Sequence, residues 1–150
     1  TCALPIYNLR DHGQLYGRRL SRTSMKKVLA KVDGYVFVYG PDAAVIEKQL
    51  NIDIKGQYKV INLLKVFRHK IPGLKSYALA NIEKKFKLHR EVDKYKRNMR
   101  LIYKDWYHPV RRQHVLKYNE DDVLNLCRLQ RRVFERKGIG LRGLEEFRLC

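Results

Sequence analysis

Acidic side chains are scarce in this 150-residue chain: 15 Asp and Glu stand against 33 Lys and Arg, a formal net charge of +18. Such an imbalance repels itself in a compact state unless a polyanion screens it. Nucleic acid is the polyanion expected, with an anionic membrane surface a weaker second. Long apolar runs are also missing. None approaches the roughly 18 residues of a membrane-spanning helix, and the N-terminus has no apolar core of the secretory kind. Cysteine is rare: Cys2, Cys127 and Cys150 are odd in number and lack metal-ligand spacing, which argues against a disulfide framework or a zinc site. His12, His69, His89, His108 and His114 are scattered, so they form no metal spacing either. There is no glycine-rich phosphate loop, nucleophile elbow or zinc finger. The location expected is the cytoplasm or the inside of a virion. A first residue of Thr rather than Met leaves open a processed chain or a fragment.

What is present suits one globular domain spanning residues 1–150, with 45% hydrophobic residues and enough length for a real core. Residues 3–20 read as a hairpin turning near Asp11-His12-Gly13. A short basic helix over 22–32 carries Met25, Val28, Leu29 and Val32 at helical spacing. Tyr35-Val36-Phe37-Val38-Tyr39 is the clearest strand, and Gly40-Pro41-Asp42 breaks it, with Asp42 placed to cap the helix that follows. A second strand, Tyr58 to Asn62, runs into Leu63-Leu64-Lys65-Val66-Phe67. Helices are then expected over 74–87, 89–104 and 110–136, the last stopped by Gly138 and Gly140. The order describes a mixed α/β fold with a small sheet and a helical C-terminal half.

The most informative stretch is Tyr118-Asn119-Glu120-Asp121-Asp122-Val123. Four residues apart on a helix, Tyr118 and Asp122 share one face and point into a common space. The plain alternatives are a core tyrosine and acids that favour the positive end of a helix. For Asp42, the plain alternative is a cap and nothing more.

This Tyr-x-x-x-Asp element resembles the third motif of the tyrosine variant of the DEDD 3′–5′ exonucleases, which have an RNase H-like fold. Asp42, at the end of its strand, takes the place of the second motif's aspartate, although the usual Asn-x-x-x-Phe-Asp form is absent. Val60-Ile61-Asn62-Leu63-Leu64 followed by Leu74-Lys75-Ser76-Tyr77-Ala78-Leu79 is similar to a strand-then-helix stretch of these enzymes. The resemblance covers roughly residues 33–136 and implies Asp42 and Asp122 as ligands of Mg²⁺ or Mn²⁺, with Tyr118 orienting the attacking water. The first motif of the family, Asp-x-Glu, does not occur before residue 42. The resemblance therefore implies an exonuclease-type domain, truncated, whose metal chemistry is lost and which needs no cofactor.

The basic residues point elsewhere. Lys84, Lys85, Lys87, Arg90, Lys94, Lys96, Arg97 and Arg100 are opposed between 84 and 100 only by Glu91 and Asp93, and Tyr95, Tyr103, Trp106 and Tyr107 are interleaved or follow. Arg111, Arg112, Arg128, Arg131 and Arg132 extend the charge along the final helix. Such a surface can neutralise phosphates and offer rings for stacking. The reading is a sequence-independent nucleic-acid-binding protein, coating DNA as a viral nucleoprotein does, with many copies along the nucleic acid. The alternatives are a working metal-dependent exonuclease whose first motif is supplied elsewhere, and a subunit of a ribonucleoprotein or replication complex.

Overall fold

The computed structural model describes residues 4–7, 12–15 and 20–150. Two strands come first, β1 (Leu4–Tyr7) and β2 (His12–Leu15), paired antiparallel with Leu4 opposite Leu15 and Tyr7 opposite His12. The expected hairpin is thus present as paired strands; His12 and Gly13, expected in its turn, belong to β2, and residues 8–11 lie outside the described residues. The described residues gather into two compact units. One holds β1, β2 and residues 78–129, and the other residues 21–77 and 130–150.

The second unit is built on a strand–helix–strand crossover. Helix α1 (Arg22–Leu29) begins at Ser21, whose side chain accepts a hydrogen bond from the Ser24 N–H, and buries Met25 and Leu29. Strand β3 (Tyr35–Val38) pairs in parallel with β4 (Lys59–Asn62), Val36 opposite Val60 and Val38 opposite Asn62. Between them lie α2 (Asp42–Leu50) and a one-turn α3 (Ile54–Gln57), since parallel strands require a crossover connection. Asp42 is the first residue of α2 rather than its cap, and its carboxylate accepts the Tyr39 N–H at 3.2 Å.

Residues 63–67, expected to carry on from the strand, instead open α4 (Leu63–Lys70). The Asn62 side chain is the cause: its Oδ1 accepts the Leu64 N–H at 3.1 Å and caps a helix immediately after the strand. The apolar residues Leu63, Val66 and Phe67 then fall at helical spacing and are buried. Near the C-terminus, a 3-10 segment (Leu141–Phe147) buries Leu144 and Phe147, and the chain returns to the sheet through a Leu149 N–H to Val60 carbonyl bond of 2.9 Å.

The first unit is helical apart from its strands: α5 (Leu79–Lys85), α6 (Met99–Trp106) and the start of α7 (Arg112–Lys137), whose remaining turns belong to the second unit. Gly138, at φ +59°, ends α7 in the left-handed conformation that glycine adopts freely. The Ile139 N–H then reaches back to the Phe134 carbonyl at 3.0 Å. Three expected helices are shorter than the periodicity predicts, α1 by its last three residues and α5 and α6 mainly at their starts. Residues 74–78 stay outside α5, with the Tyr77 carbonyl accepting from the Tyr39 hydroxyl and the Tyr77 hydroxyl donating to the Ile71 carbonyl. Residues 89–98 form an irregular connection, and only at Asn98, which caps α6 by accepting the Leu101 N–H at 3.1 Å, does helix resume.

Candidate functional site

The irregular connection exists because three of its residues are anchored inward. Arg90 is 4% exposed, and its guanidinium forks onto the Glu83 carboxylate of α5, Nε to Oε2 at 2.6 Å and Nη2 to Oε1 at 2.7 Å. Its remaining nitrogen, Nη1, stands 2.5 Å from Asp122 Oδ1 on α7. The Glu91 N–H donates to Asp121 Oδ2 at 3.0 Å. Tyr95 is fully buried and donates its hydroxyl to Asp105 Oδ2 at 2.8 Å. Two turns of α7, from Tyr118 to Asn125, supply the receiving face.

Tyr118 and Asp122 do lie on one face, and the space they share is filled by Arg90. The guanidinium carbon sits 5.0 Å from the centre of the Tyr118 ring, within cation–π range, and Tyr95 meets that ring edge-on at 5.6 Å. Asn125 completes the cluster: its amide donates to Glu83 Oε1 at 3.0 Å and to the His89 carbonyl at 3.1 Å. A buried carboxylate with a bidentate arginine and an amide donor has most of its acceptor sites filled, the condition under which a buried charge is tolerated.

One guanidinium thus serves two carboxylates, and the balance shows in the titration of Asp122. Burial pushes the Asp122 carboxyl up to about 6, with Glu83 and Asp121 adding to the rise and Arg90 opposing it. The Tyr118 phenol is raised as well, first by burial and then by the Asp122 charge. Asp105 shows the opposite balance. Its burial favours the protonated form, but the Tyr95 hydroxyl together with Lys94 (3.3 Å) and Arg111 (2.9 Å) holds its carboxyl below the usual range.

Arg90 is a correction: it is an interior counter-ion and cannot meet a ligand's phosphate. Tyr95 is likewise interior, so it offers no ring to solvent. Lys94 and Arg111 are partly engaged by Asp105, Lys96 by Asp93 at 2.7 Å, and Arg112 bonds the Trp106 carbonyl at 2.7 Å while lying over its ring. Arg97 reaches Asn81 at 3.2 Å, and Arg128 reaches Asn125 at 3.0 Å. Lys84, Lys85, Lys87 and Arg100 are exposed and face solvent in the first unit. Lys104, not singled out from sequence, joins them. Arg131 and Arg132 are exposed in the second unit. Lys87 and Arg97 hold left-handed backbone, at φ +54° and +59°, a conformation uncommon for residues with side chains.

Asp42 belongs to the second unit, where it is exposed at the end of β3. The turn before it is fixed by Asn62, whose side chain accepts the Gly40 N–H at 3.1 Å and donates to the Gly40 carbonyl at 2.9 Å. Asn62, Glu83, Asp105 and Asn125 were all missed by sequence reasoning. Asn125 alone left a signal, since it falls on the same helical face as Tyr118 and Asp122.

Two-metal hydrolysis needs several carboxylates converging on ions about 3.5–4 Å apart. Among the described residues, no three Asp, Glu, His or Cys side chains gather in that way. Asp122 is moreover already paired with an arginine. The described residues do not make a metal centre by themselves.

The second unit carries a parallel strand–helix–strand crossover, and the first carries Tyr118 and Asp122 one turn apart on α7. A family model of the RNase H superfamily matches residues 13–134, and the chain belongs to that superfamily. Its fold is RNase H-like, a small-sheet α/β arrangement with a helical C-terminal half. Neither a curated protein nor a solved structure matches the chain.

Proposed function

We propose that this RNase H-like domain binds nucleic acid, DNA foremost, without regard to sequence and through its phosphates. The observation that carries the reading is the contrast within the first unit. Its acids Glu83, Asp105 and Asp121 are buried, and its exposed Glu91 and Asp93 are paired with Lys117 and Lys96, whereas Lys84, Lys85, Lys87, Arg100 and Lys104 are exposed and form no ion pair with a described acid. Lysine and arginine in this setting release counterions when they meet a phosphate chain. A role coating DNA in many copies, as a viral nucleoprotein does, follows from charge and size.

A second reading is a metal-dependent 3′–5′ exonuclease, favoured by the placement of Tyr118 beside Asp122 in a member of this superfamily. It requires further carboxylates beyond the cluster described, and it requires Arg90 to release Asp122.

End-labelled DNA titrated with the protein in Mg²⁺ or Mn²⁺, and again in EDTA, separates the two. Retention of intact DNA in every lane, weakening with a log–log salt slope of roughly −5 for about six neutralised phosphates, is the expected result. Metal-dependent shortening from the 3′ end that Asp122→Ala abolishes would replace the binding reading with the exonuclease. No retention at low salt would remove both.

A further inference from the structure

Helix α6 carries an exposed ridge that its neighbours leave uncovered. Met99 is 59% exposed, Tyr103 60% and Tyr107, at the helix C-cap, 70%. The three recur every fourth residue and so lie along one side of the helix. Scattered apolar residues at a surface need no explanation, but a row of large ones within nine residues does. The opposite side of the helix faces inward, with Asp105 buried and Leu101 and Ile102 half-buried. Neither Tyr103 nor Tyr107 packs against another ring among the described residues.

The flanks of the ridge decide what it suits. Arg100 and Lys104, also one turn apart, run beside the tyrosines, and Arg97 precedes them. From Lys94 to Lys104 the chain has five cations and no acid. A second copy of the same ridge would bring these charges against their own kind, so self-association is disfavoured. An anionic lipid surface matches the charge but prefers a continuous apolar face, whereas here two of the three outward residues end in hydroxyls and Leu101 and Ile102 are half-buried.

Tyr103 and Tyr107 are separated by about 6 Å along the axis at 1.5 Å per residue. Two stacking steps of a nucleic-acid strand amount to about 6.8 Å. A base inserted between the two rings would therefore touch both, with its flanking phosphates within reach of the cations alongside. Duplex bases, already stacked and paired, cannot enter.

We infer that the α6 ridge of Met99, Tyr103 and Tyr107, edged by Arg100 and Lys104, is a stacking strip that selects single-stranded over duplex nucleic acid. This inference rests on the nucleic-acid reading above and adds the strand state of the ligand. Aromatic stacking changes affinity by roughly 5- to 150-fold per base on alanine substitution.

The test is fluorescence anisotropy of the full chain with a labelled mixed-sequence single strand and with a blunt duplex of equal length, for three double variants. Tyr103→Ala/Tyr107→Ala should weaken single-strand binding at least about five-fold and leave duplex binding unchanged. Tyr103→Phe/Tyr107→Phe should keep single-strand affinity, because the rings remain. Arg100→Ala/Lys104→Ala should weaken both ligands. The substituted side chains are exposed, and unchanged far-UV circular dichroism would verify the fold. Equal binding of both ligands, with the alanine pair indistinguishable from wild type, would overturn the strip and leave phosphate binding standing. Binding of neither ligand would instead bring down the reading beneath it. Phosphatidylserine vesicles bound through the tyrosines, with single-strand binding unaffected by their loss, would assign the ridge to a lipid surface.

Discussion

Arg90→Met tests whether the interior guanidinium holds the first unit together. The substitution keeps much of the side chain's apolar volume and removes its charge. Glu83, 2% exposed, would lose charge-assisted bonds of 2.6 and 2.7 Å and keep only the Asn125 amide. Asp122 would lose its 2.5 Å partner, although a third of its side chain reaches water and its loss is cushioned. Removing one partner of a buried pair leaves a stranded charge and costs about 3–5 kcal/mol. For a chain of this length that is a fall in melting temperature of about 10–15 °C. Glu83→Met/Arg90→Met removes both charges and should recover most of the loss, because a buried pair replaced by apolar groups is often close to neutral. Thermal unfolding of wild type, both single variants and the double variant gives the coupling energy directly. A cost below about 1 kcal/mol for Arg90→Met, or strict additivity of the two single variants, would refute the interior ion pair.

Three further outcomes follow from the same geometry. The folded Asp122 carboxyl keeps its proton up to about 6, while its ordinary value is 3.8, so the folded state holds more protons between these values. The stability it contributes is present below about pH 4 and lost as pH rises through 6, so the stability difference between wild type and Asp122→Asn should shift over that window and be flat above pH 7 in urea unfolding. Lys87→Gly relieves a side chain held at φ +54° and should raise stability by about 0.5–1 kcal/mol while lowering the magnitude of the duplex salt slope by about 0.9; a loss of stability would contradict the left-handed assignment. Asn62→Ala removes the two bonds to Gly40 and the cap on Leu64, and should destabilise by about 2–3 kcal/mol in urea unfolding.

Much of the fold was legible where one local signal acted alone. The uncharged run from Tyr35 is a strand, and Gly138 stops the long helix as its position predicts. The periodicity over 89–104 misled because Leu, Val and Tyr at helical spacing say nothing of an arginine directed inward. Arg90 and Tyr95 find their partners in Glu83, Asp122 and Asp105, the first two 7 and 32 residues away from Arg90, and these tertiary bonds override local propensity. Leu63 to Phe67 is a case of ambiguity: a short apolar run fits strand or helix equally, and a single cap from Asn62 decided it. At the site, the shared face of Tyr118 and Asp122 could be read from a four-residue spacing. What occupies the space before them could not, because Arg90 in sequence is one cation among many.

The interior cluster also shapes the exterior. Arg90, Glu91 and Tyr95 hold their connection onto α7, and between these anchors Asp93 and Lys94 turn outward. Lys94 is the cation so displaced, Lys87, Lys96 and Arg97 flank the anchors, and all four are exposed. Meanwhile Glu83, Asp105 and Asp121, which satisfy the cluster, lie beneath the surface, and the exposed Glu91 and Asp93 are paired with Lys117 and Lys96, so the carboxylates that a phosphate could meet at contact distance are outnumbered by cations. A carboxylate cluster arranged around an arginine thus accompanies a basic outer face in this RNase H-like chain. Arg90→Met should therefore weaken DNA binding without touching the ligand, by loosening the connection that aims these lysines. Glu83→Met/Arg90→Met, with its charge balanced and its anchor still absent, should regain stability without regaining full affinity. That divergence between unfolding and binding would separate the two roles of Arg90, and full recovery of both together would show that the connection is aimed by something else.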